Sequence, residues 1–569
     1  MGNRRTKTPS LIFNIITVSL LAACQFIPSS PHVGSPSPEN LIDNVQPKSS
    51  LTLPTLNSAT PLASNTPMPE LFTLRIEQDL PQSFKVGMRL PESLFELTDN
   101  SKAAAELIFG NQNPVSQWIY ALVAPFPTII DNIKSSDLQN FWLHQNEAAF
   151  KRLIMDQSTY RAMVSLWDEP SSNVEVLPAE NLLAEAWKGS DTWAIIPFEE
   201  IQPRWKVIIL DEQSPIHKDF SAENYMLTVP ISLVATEREF AGELAQSLKP
   251  FLLQTNREPD YLSTVILTGV TALVRATAWD METKGITRPA EVIGATLREA
   301  DVLHISNEVP FAENCEISEP PFSGSLIFCS KDSYTELLKV IGTDVVELTG
   351  DHFEDWGAAG MEHTLALYKK IGWPYYGGGI NIEEAKQPLK LEVNGTKIAF
   401  LGCNAKGSDF GNATETKPGN FRCDMDYLAK EVTKLKEEGY LPIVTFQHNE
   451  YYDWTAHYTL MNDFHRVEEA GAVIVSGSQA HQPHAIELTD EAVLHYGLGN
   501  LFFDQYGVYP DSDVAFLDRH VFYKNKYLGV ELLTIHFEDY SQPLWMDKAS
   551  REAMLEKLFS VSIWNLPFQ

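Results

Sequence analysis

The segment DVVELTGDHFEDWG, residues 344–357, decides the fold of the second half of this chain. Its β-branched run predicts a strand, and the Thr-Gly pair predicts the turn at which that strand ends. Asp351 and His352 follow at the carboxyl end, where side chains in an α/β sheet project into the crevice that binds ligands. A carboxylate beside an imidazole is typical of metal binding or acid–base chemistry. The alternative is a turn aspartate that satisfies backbone amides beside a surface histidine.

Other predicted strands in the same half also end in polar residues. Hard oxygen and imidazole groups that arrive from several strands are what a divalent metal site requires. Simpler interpretations remain open, since His484 and Glu450 fit an ordinary surface and Asn500 fits a turn cap. The residues at these strand ends are Asn307, Glu308, Gln447, His448, Glu450, His481, His484 and Asn500.

Length, composition and charge bound the function. At 569 residues with 44% hydrophobic side chains, the chain predicts a globular protein of several domains. Its formal net charge of −32 argues against a nucleic-acid partner and against peripheral attachment to anionic lipid, because each needs a basic surface. The sequence has no P-loop, no G-x-G-x-x-G and no G-x-S-x-G elbow, so nucleotide-driven and serine-hydrolase functions lack their usual motifs.

The first 24 residues have the parts of an export signal. Basic residues precede an apolar run from Leu11 to Leu21, and the sequence Leu-Ala-Ala-Cys ends at Cys24. A run this short predicts a secretory signal and not a spanning helix. Its ending resembles the bacterial lipobox, in which the cysteine is acylated; the alternative is an accidental cysteine after an ordinary signal. We predict a signal over 1–24, lipidation of Cys24 and an extracytoplasmic protein anchored to the bacterial cell membrane.

Composition and periodicity divide the rest of the chain. Residues 25–70 are rich in Pro, Ser and Thr and predict a disordered tether, because such a segment buries too little apolar surface to offset its ordering entropy. Residues 71–250 mix short strands and helices, with a helix predicted over 115–133 and a strand over 84–90. Strands and helices alternate over 262–537, which predicts an α/β domain, and residues 538–569 predict a C-terminal helical extension.

Four cysteines other than Cys24 fall as two close pairs. An even number of cysteines in an exported protein favours disulfides, here Cys315–Cys329 and Cys403–Cys423. Zinc binding is the alternative, but no C-x-x-C spacing supports it. Other pairings of the four stay open at this point.

Within residues 71–250, two segments resemble periplasmic solute-binding proteins of the two-lobed, phosphate-binder-like kind. These are YALVAPFPTIIDNI (120–133) and DTWAIIPFEEIQPRWKVIILDEQSPI (191–216). The resemblance implies an α/β domain that binds a ligand. The alternative is a spacer domain of the same fold without one.

The second half resembles the CapA family of capsule and poly-γ-glutamate biosynthesis proteins. The resemblance lies in four ordered segments: DVVELTGDHFEDWG, GWPYYGGGINIEEAKQPLKLEVNGTKIAFLG (372–402), AGAVIVSGSQAHQPHAIEL (470–488) and HYGLGNLFFDQ (495–505). CapA domains look like relatives of the calcineurin-type metallophosphoesterases. The resemblance therefore implies a layered α/β fold with metal ligands on strand-end loops, acting on a phosphoester or on a peptide polymer.

Departures from the family pattern reduce the implied ligand set. Val270 stands where the family has an aspartate, Asp351 replaces an asparagine, and Gln447 puts the next histidine one place out of register. One divalent ion of Mn, Fe or Zn is then the expected cofactor, with His352 and His481 as the catalytic candidates. The candidate metal ligands are Glu308, Asp351, His352, His448 and His481.

Two functions of different classes follow. The first is a membrane-anchored lipoprotein of capsule or poly-γ-glutamate biosynthesis or export that acts as a metal-assisted phosphoesterase-like hydrolase. The second is a non-catalytic lipoprotein with a degenerate metal site that captures a ligand or polymer. Either would have an anionic surface polymer or its assembly proteins as partners, and because the surface is acidic, a locally basic or metal-bearing cleft would have to receive it. Arg275, Lys406 and Arg422 are the basic candidates.

Overall fold

A computed structural model describes residues 71–144, 148–320, 326–406, 411–505 and 509–564. The predicted signal over 1–24, Cys24 and the predicted tether over 25–70 lie outside the described residues. Within the described ranges, the helices are all too short or too polar to cross a bilayer.

Residues 71–261, here called the first region, form a mixed α/β layer. The strands are β1 (Phe72–Ile76), β2 (Phe95–Leu97), β3 (Ala105–Phe109), β4 (Pro114–Pro125), β5 (Asn132–Ile133), β6 (Arg152–Met155), β7 (Val174–Val176), β8 (Thr192–Pro197), β9 (Trp205–Val207), β10 (Ile209–Leu210) and β11 (Thr228–Ala235). The helices are α1 (Gln82–Gly87), α2 (Ser135–His144), α3 (Gln157–Trp167), α4 (Ala179–Ala186) and α5 (Arg238–Leu248).

The main sheet of the first region has the order β2-β1-β3-β11-β4-β8-β6-β7, with β9 also on β4. Its central strand β4 lies where the sequence predicted a helix over 115–133, so that prediction is wrong. The strand is buried almost throughout and paired on both edges, and such a strand reads as a continuous apolar run that periodicity does not separate from a buried helix. The strand predicted over 84–90 is also wrong, because helix α1 covers its first residues.

Residues 262–564, here called the second region, alternate strands and helices. The strands are β12 (Leu262–Leu267), β13 (Val270–Thr271), β14 (Val302–Asn307), β15 (Val345–Glu347), β16 (Tyr375–Tyr376), β17 (Gly378–Gly379), β18 (Leu389–Val393), β19 (Thr396–Asn404), β20 (Gly419–Asn420), β21 (Leu441–Gln447), β22 (Ile474–Ser476), β23 (Ile486–Leu488), β24 (Val493–His495), β25 (Asn500–Phe502), β26 (Val514–Tyr523), β27 (Lys526–Phe537), β28 (Pro543–Trp545) and β29 (Ile563–Trp564). The helices are α6 (Arg275–Lys284), α7 (Gly294–Arg298), α8 (Thr335–Val340), α9 (Gly357–Ile371), α10 (Ile382–Ala385), α11 (Met425–Glu437), α12 (Tyr458–Glu469) and α13 (Lys548–Val561).

Two large sheets of the second region pack face to face. One has the order β16-β15-β14-β12-β26-β27-β28, and the other has the order β18-β19-β21-β22-β24-β23-β29. One apolar cluster joins side chains of both sheets, such as Val265 from the first and Ile443 from the second. Helices α6 to α9 cover the outer face of the first sheet, and α11 and α12 cover that of the second. The result is a helix–sheet–sheet–helix sandwich, which confirms the predicted layered α/β fold.

The first region packs on the hairpin of β26 and β27. Val521, Tyr523 and Leu528 of this hairpin belong to the apolar core of the first region. Arg551 on α13 reaches back to the first region and donates two hydrogen bonds to Asp131, at 2.7 and 2.9 Å. The C-terminal segment therefore helps to join the two regions.

The two predicted cysteine pairs are both present as disulfides. Cys315–Cys329 closes the segment after β14, and Cys403–Cys423 joins the end of β19 to the residues before α11. Both lie close to the carboxyl ends of the parallel strands, where the polar strand-end residues collect.

Candidate metal-binding site

The candidate site lies where parallel strands of both sheets of the second region end. Glu308 directly follows β14, and Asp351 and His352 follow β15 after a short turn. Gly350 in that turn lies against Glu308: a Cβ atom there would stand 2.6 Å from the Cα atom of Glu308. Only a residue without a side chain fits, so the glycine brings the two loops together.

Four of the predicted ligands form one cluster. One ligand atom from each of Glu308, Asp351 and His352 lies within 4.8 Å of the other two. The Nε2 atom of His481, from the loop after β22, lies 3.5 Å from Oε1 of Glu308. Ligand atoms of a four-coordinate ion with bonds of about 2.1 Å stand about 3.4 Å apart, so small shifts of these side chains would complete a coordination shell.

Lys406 and Glu450 extend the cluster on the side of Asp351. The Lys406 ammonium, from the loop after β19, lies 2.7 Å from Oδ2 of Asp351 and also bonds Oε1 of Glu450. The other oxygen of Glu450 accepts a hydrogen bond from the hydroxyl of Tyr452. The same Oε1 of Glu450 lies 3.7 Å from Nε2 of His481, which links this side back to Glu308.

A second set of residues orients the two histidines. The Nδ1 atom of His352 lies 2.8 Å from Oδ2 of Asp355, and Nδ1 of His481 lies 2.9 Å from Oδ1 of Asn500. The amide nitrogen of Asn500 donates to the carbonyl oxygens of His481 and Ser512, so its oxygen faces the ring and Nδ1 of His481 is the donor. This leaves Nε2 of each ring available, the arrangement usual for metal-ligating histidines.

Two carboxylate oxygens of the cluster have no hydrogen-bond donor among the described residues. These atoms are Oδ1 of Asp351 and Oε1 of Glu308, and both are buried. The Glu308 atom has a long ion-pair contact of 3.5 Å with Nε2 of His481 in place of a hydrogen bond. A buried carboxylate oxygen without a donor costs free energy, and most such atoms in folded proteins are paired. The two atoms therefore mark a place where a bound cation would pair with carboxylate oxygens that otherwise lack a hydrogen-bond donor.

The carboxylates and the cationic side chains of the cluster stabilise each other's charged forms. Burial opposes ionisation of Glu308, but the positive charges of His481, His352 and Lys406 outweigh it and lower the pKa of the carboxyl. Burial also disfavours the charged form of His352, yet the hydrogen bond to Asp355 and the carboxylates of Glu308 and Asp351 raise its pKa to about 9. Without a metal, carboxylates and cations thus hold each other charged.

The pKa of Glu450 shows the same balance. Burial raises it, but the charge of His481 and the bond to Lys406 lower it to about 2. Burial likewise opposes the charge of His481, while Glu308 and Glu450 raise the pKa of that imidazole.

Other candidates lie apart from the cluster. His448 directs Nε2 to Oδ2 of Asp463, at 3.1 Å, and is not among the residues whose ligand atoms converge. The Nδ1 atom of His484 bonds the carbonyl of Asp453, and burial lowers the pKa of this ring to about 4. Val270 packs in a small apolar cluster with Val309 and Phe503, so no carboxylate stands at that strand end.

Sequence reasoning missed Asp355, although its position three residues after His352 in DHFED is the available signal. It also missed the aromatic ring of Phe328, which lies 5.0 Å from His352, and that of Phe503, which lies 5.2 Å from His481. Of the basic candidates, Lys406 is in the cluster, while Arg275 lies over both aromatic rings and pairs with Asp504. Arg422 lies beside Asn404 in a β-bridge.

The fold and these strand-end residues define a layered α/β protein with an acidic, histidine-containing crevice. The family model "Bacterial capsule synthesis protein PGA_cap" matches residues 264–505, which contain every residue of the cluster. The resemblance of this part of the chain to the CapA family, seen in the sequence, is therefore confirmed.

Two curated relatives are similar to this chain. "Capsule biosynthesis protein CapA" of Bacillus anthracis is 28% identical over 196 residues, which is 34% of this chain and 47% of the relative. "PGA biosynthesis protein CapA" of Bacillus subtilis (strain 168) is 25% identical over 244 residues, 42% of this chain and 63% of the relative. The chain thus spans between about half and two thirds of each relative.

A solved structure, an ABC-type phosphate transport receptor from Vibrio cholerae, aligns with 32% of this chain and 92% of its own length. The TM-score is 0.24 and the sequence identity 13%, too low for an inference about fold or function. The resemblance of residues 71–250 to solute-binding proteins stays a prediction.

Proposed function

We propose that this protein is an extracytoplasmic lipoprotein of capsule or poly-γ-glutamate biosynthesis or export, and that its crevice binds one divalent cation of Mn, Fe or Zn. The capsule role comes from the CapA-type domain and from the names of its relatives. The proposal of anchoring through Cys24 rests on the N-terminal sequence pattern.

One observation carries the metal proposal. Two buried carboxylate oxygens without donors, on Glu308 and Asp351, meet two imidazoles whose Nδ1 atoms are already occupied. Oxygen and imidazole groups in this number suit Mn, Fe or Zn better than a purely oxygen-coordinated ion such as Ca²⁺. His448 is the predicted ligand with least support, since it pairs with Asp463.

A bound cation would supply Lewis-acid polarisation of a phosphoryl or carbonyl oxygen and a more acidic bound water. The chain's own residues would hold and orient the reacting groups. Asp355 and Asn500 fix the ring planes of His352 and His481, so either ring is positioned to accept or donate a proton at Nε2 when it is not a ligand. The rings of Phe328 and Phe503 pack against His352 and His481, with ring centroids 5.0 and 5.2 Å apart.

A non-catalytic binding function is the second candidate, and one observation favours it. Lys406 already supplies a positive charge to Asp351 and Glu450. If that charge suffices, the crevice is a binding surface for an anionic polymer, with a degenerate metal site. The first region would then be the ligand-capturing half, as its predicted resemblance implies.

Metal content of the full-length protein tests the two functions. We expect a near-stoichiometric transition metal in protein purified in detergent without chelator, and its loss in His352→Ala and His481→Ala, because each variant removes one ligand of a small set. His363→Ala is a matched control, since His363 also pairs with a carboxylate, Asp332 at 2.9 Å, outside the cluster. The measurement is elemental mass spectrometry, followed by assays with a phosphoester and with poly-γ-glutamate.

No metal in the wild-type protein after incubation with Mn²⁺, Fe²⁺ and Zn²⁺ would contradict the metal proposal. The binding function then predicts a thermal shift with poly-γ-glutamate, because a ligand at about 100 times its Kd adds about 2.7 kcal/mol of stability. No shift with this polymer would contradict the binding function.

A further inference from the structure

Hydrogen bonds of the preceding residues hold the backbone at Lys406 against the strand ends of the crevice. Lys406 follows strand β19, and the backbone amide of Ala405 donates to the carbonyl of Gln447 at 2.7 Å. The side-chain amide of Asn404 donates to the carbonyl of Thr349 at 2.8 Å, in the turn before Asp351. The backbone that carries Lys406 is therefore tied to the strand ends on both sides, and its side chain is only 26% exposed.

Asp351 belongs both to the cluster of candidate ligands and to an ion pair with Lys406. Its Oδ2 atom bonds Lys406, whereas Oδ1 has no donor among the described residues. Glu308 and His352 each place a ligand atom within 4.8 Å of one of Asp351, and His481 lies beside Glu308. On the side of Oδ2, the ammonium stands between Asp351 and Glu450, as a cation shared by two carboxylates.

Two strand ends of the second region, at Gln447 and Val270, add no charged ligand. Gln447 ends strand β21 with a buried neutral amide, and both polar atoms of that amide lack partners in the described part of the chain. Val270 is buried among apolar side chains. A centre with two metal ions needs further ligands around a bridging group, and the carboxylates of Asp351 and Glu450 are already paired with the Lys406 ammonium.

We propose that the Lys406 ammonium takes the place of a second divalent cation and restricts the crevice to one metal ion, with Asp351 shared between the two cations. This inference rests on the single-cation site proposed above. The charges of the groups that would contact the two cations agree with it when both histidines bind the ion as neutral ligands: Glu308, Asp351 and Glu450 carry three negative charges, which Lys406 and one divalent ion balance. A second divalent ion would be repelled by the ammonium at close range and would compete with it for the carboxylates of Asp351 and Glu450.

Lys406→Met and Lys406→Glu test the proposal by opposite changes. The Met variant removes the charge and adds no ligand, so the first ion should bind at least tenfold more tightly. The Glu variant adds a carboxylate where the ammonium stood, so two ions should bind. Calorimetric titration of chelator-treated full-length protein with Mn²⁺ and with Zn²⁺ measures both, with one ion expected for the wild type.

Lys386→Met is the matched control. Lys386 pairs with Glu383 and has the same 26% side-chain exposure, but it lies away from the crevice. Its metal titration should equal that of the wild type. Lys406→Arg retains the charge and should keep a stoichiometry of one, while circular dichroism and thermal melting in chelator show whether each variant is folded.

The first outcome below separates this inference from the proposed function. If the wild type binds one ion and folded Lys406→Met binds one with unchanged affinity, the role of Lys406 is wrong and the metal proposal stands. If the wild type binds none but Lys406→Met binds one, both the wild-type metal and the restriction to one ion are wrong, because the ammonium then excludes every divalent ion. If neither binds an ion, both are wrong.

If the variants do not fold, anomalous diffraction from wild-type crystals soaked in Mn²⁺ tests the proposal. One anomalous peak, with the ammonium still between Asp351 and Glu450, supports the proposal. Two peaks would overturn it.

Discussion

The crevice of the second region and the junction between the two regions use the same residue types in different ways. The junction holds what we call the interlobe cluster: Asp131, Lys206, His217, Arg519, Glu531 and Arg551, which line a cavity of about 340 Å³. Both places bring carboxylates, imidazole and cationic side chains together below the surface. They differ in whether every carboxylate oxygen has a donor.

In the interlobe cluster the carboxylates are fully paired. Asp131 accepts from Arg551 with both oxygens and from Lys206 at 2.8 Å. Glu531 bonds His217 through one oxygen and Arg519 through the other, each at 2.7 Å. In the crevice, by contrast, Glu308 and Asp351 each keep one buried oxygen without a donor. Complete pairing indicates a structural role, and incomplete pairing indicates a place for a ligand.

The largest predicted effect is a loss of stability at the junction in acid. Burial opposes ionisation of both carboxyls, but Arg551 and Lys206 lower the pKa of Asp131 to about 2, and Arg519 and His217 lower that of Glu531 to about 2. Since these folded-state values lie below the ordinary 3.8 and 4.5, their stabilisation is complete above about pH 4.5 and is lost as the pH falls toward 2. The two groups together should cost on the order of 4 kcal/mol.

Urea unfolding across this pH range measures that loss. Asp131→Asn combined with Glu531→Gln should be less stable than the wild type at pH 7 and should lose less between pH 4.5 and pH 2. An equal pH dependence in the two proteins would show that the interlobe carboxylates are not what acid acts on.

Arg551→Met should produce the next largest effect. The change leaves Asp131 with Lys206 alone, and we expect a loss of about 2–3 kcal/mol, less than the about 3–5 kcal/mol for a fully buried pair, because both side chains keep some exposure. Urea unfolding gives the stability, and metal content should be unchanged. Lys557→Met, on the same helix, breaks the more exposed pair with Asp511 and should cost about 1 kcal/mol or less. A change in the metal content of Arg551→Met would contradict the separation of a structural role for the interlobe cluster from a metal-binding role for the crevice.

Asp355→Asn should produce the smallest change, and in metal affinity rather than stability. Asp355 accepts from the backbone amide of Phe328 at 2.7 Å and bonds Nδ1 of His352. The neutral amide keeps an acceptor but makes the imidazole less basic, so the affinity should fall about 10–100-fold. Calorimetric titration with Mn²⁺ measures it, and Asp332→Asn, beside His363, is the control. Equal affinity in Asp355→Asn and wild type would mean that His352 is not a ligand.

The sequence predicted much of the second region because its signals are local. Strand β15 and its turn follow from β-branched residues and Thr-Gly, and the two disulfides follow from cysteines close in the chain. Four of the five predicted ligands lie together for the same reason, since each lies directly after a parallel strand or in the short loop that follows one. The first region was harder: β4 is apolar on both faces, and only its pairing with β8 and β11 distinguishes it from a helix.

By itself, the sequence determined the α/β class, the strand ends that carry Glu308, Asp351, His352 and His481, and the CapA-type domain. Tertiary structure alone decided the position of His448 against Asp463, the bond of Lys406 to Asp351, and the pairing of Arg551 with Asp131 across 420 residues. The physical reason is the range of each interaction. Strand propensity and turn chemistry act within a few residues, whereas the partner of a charged side chain is set by how separate sheets and helices pack.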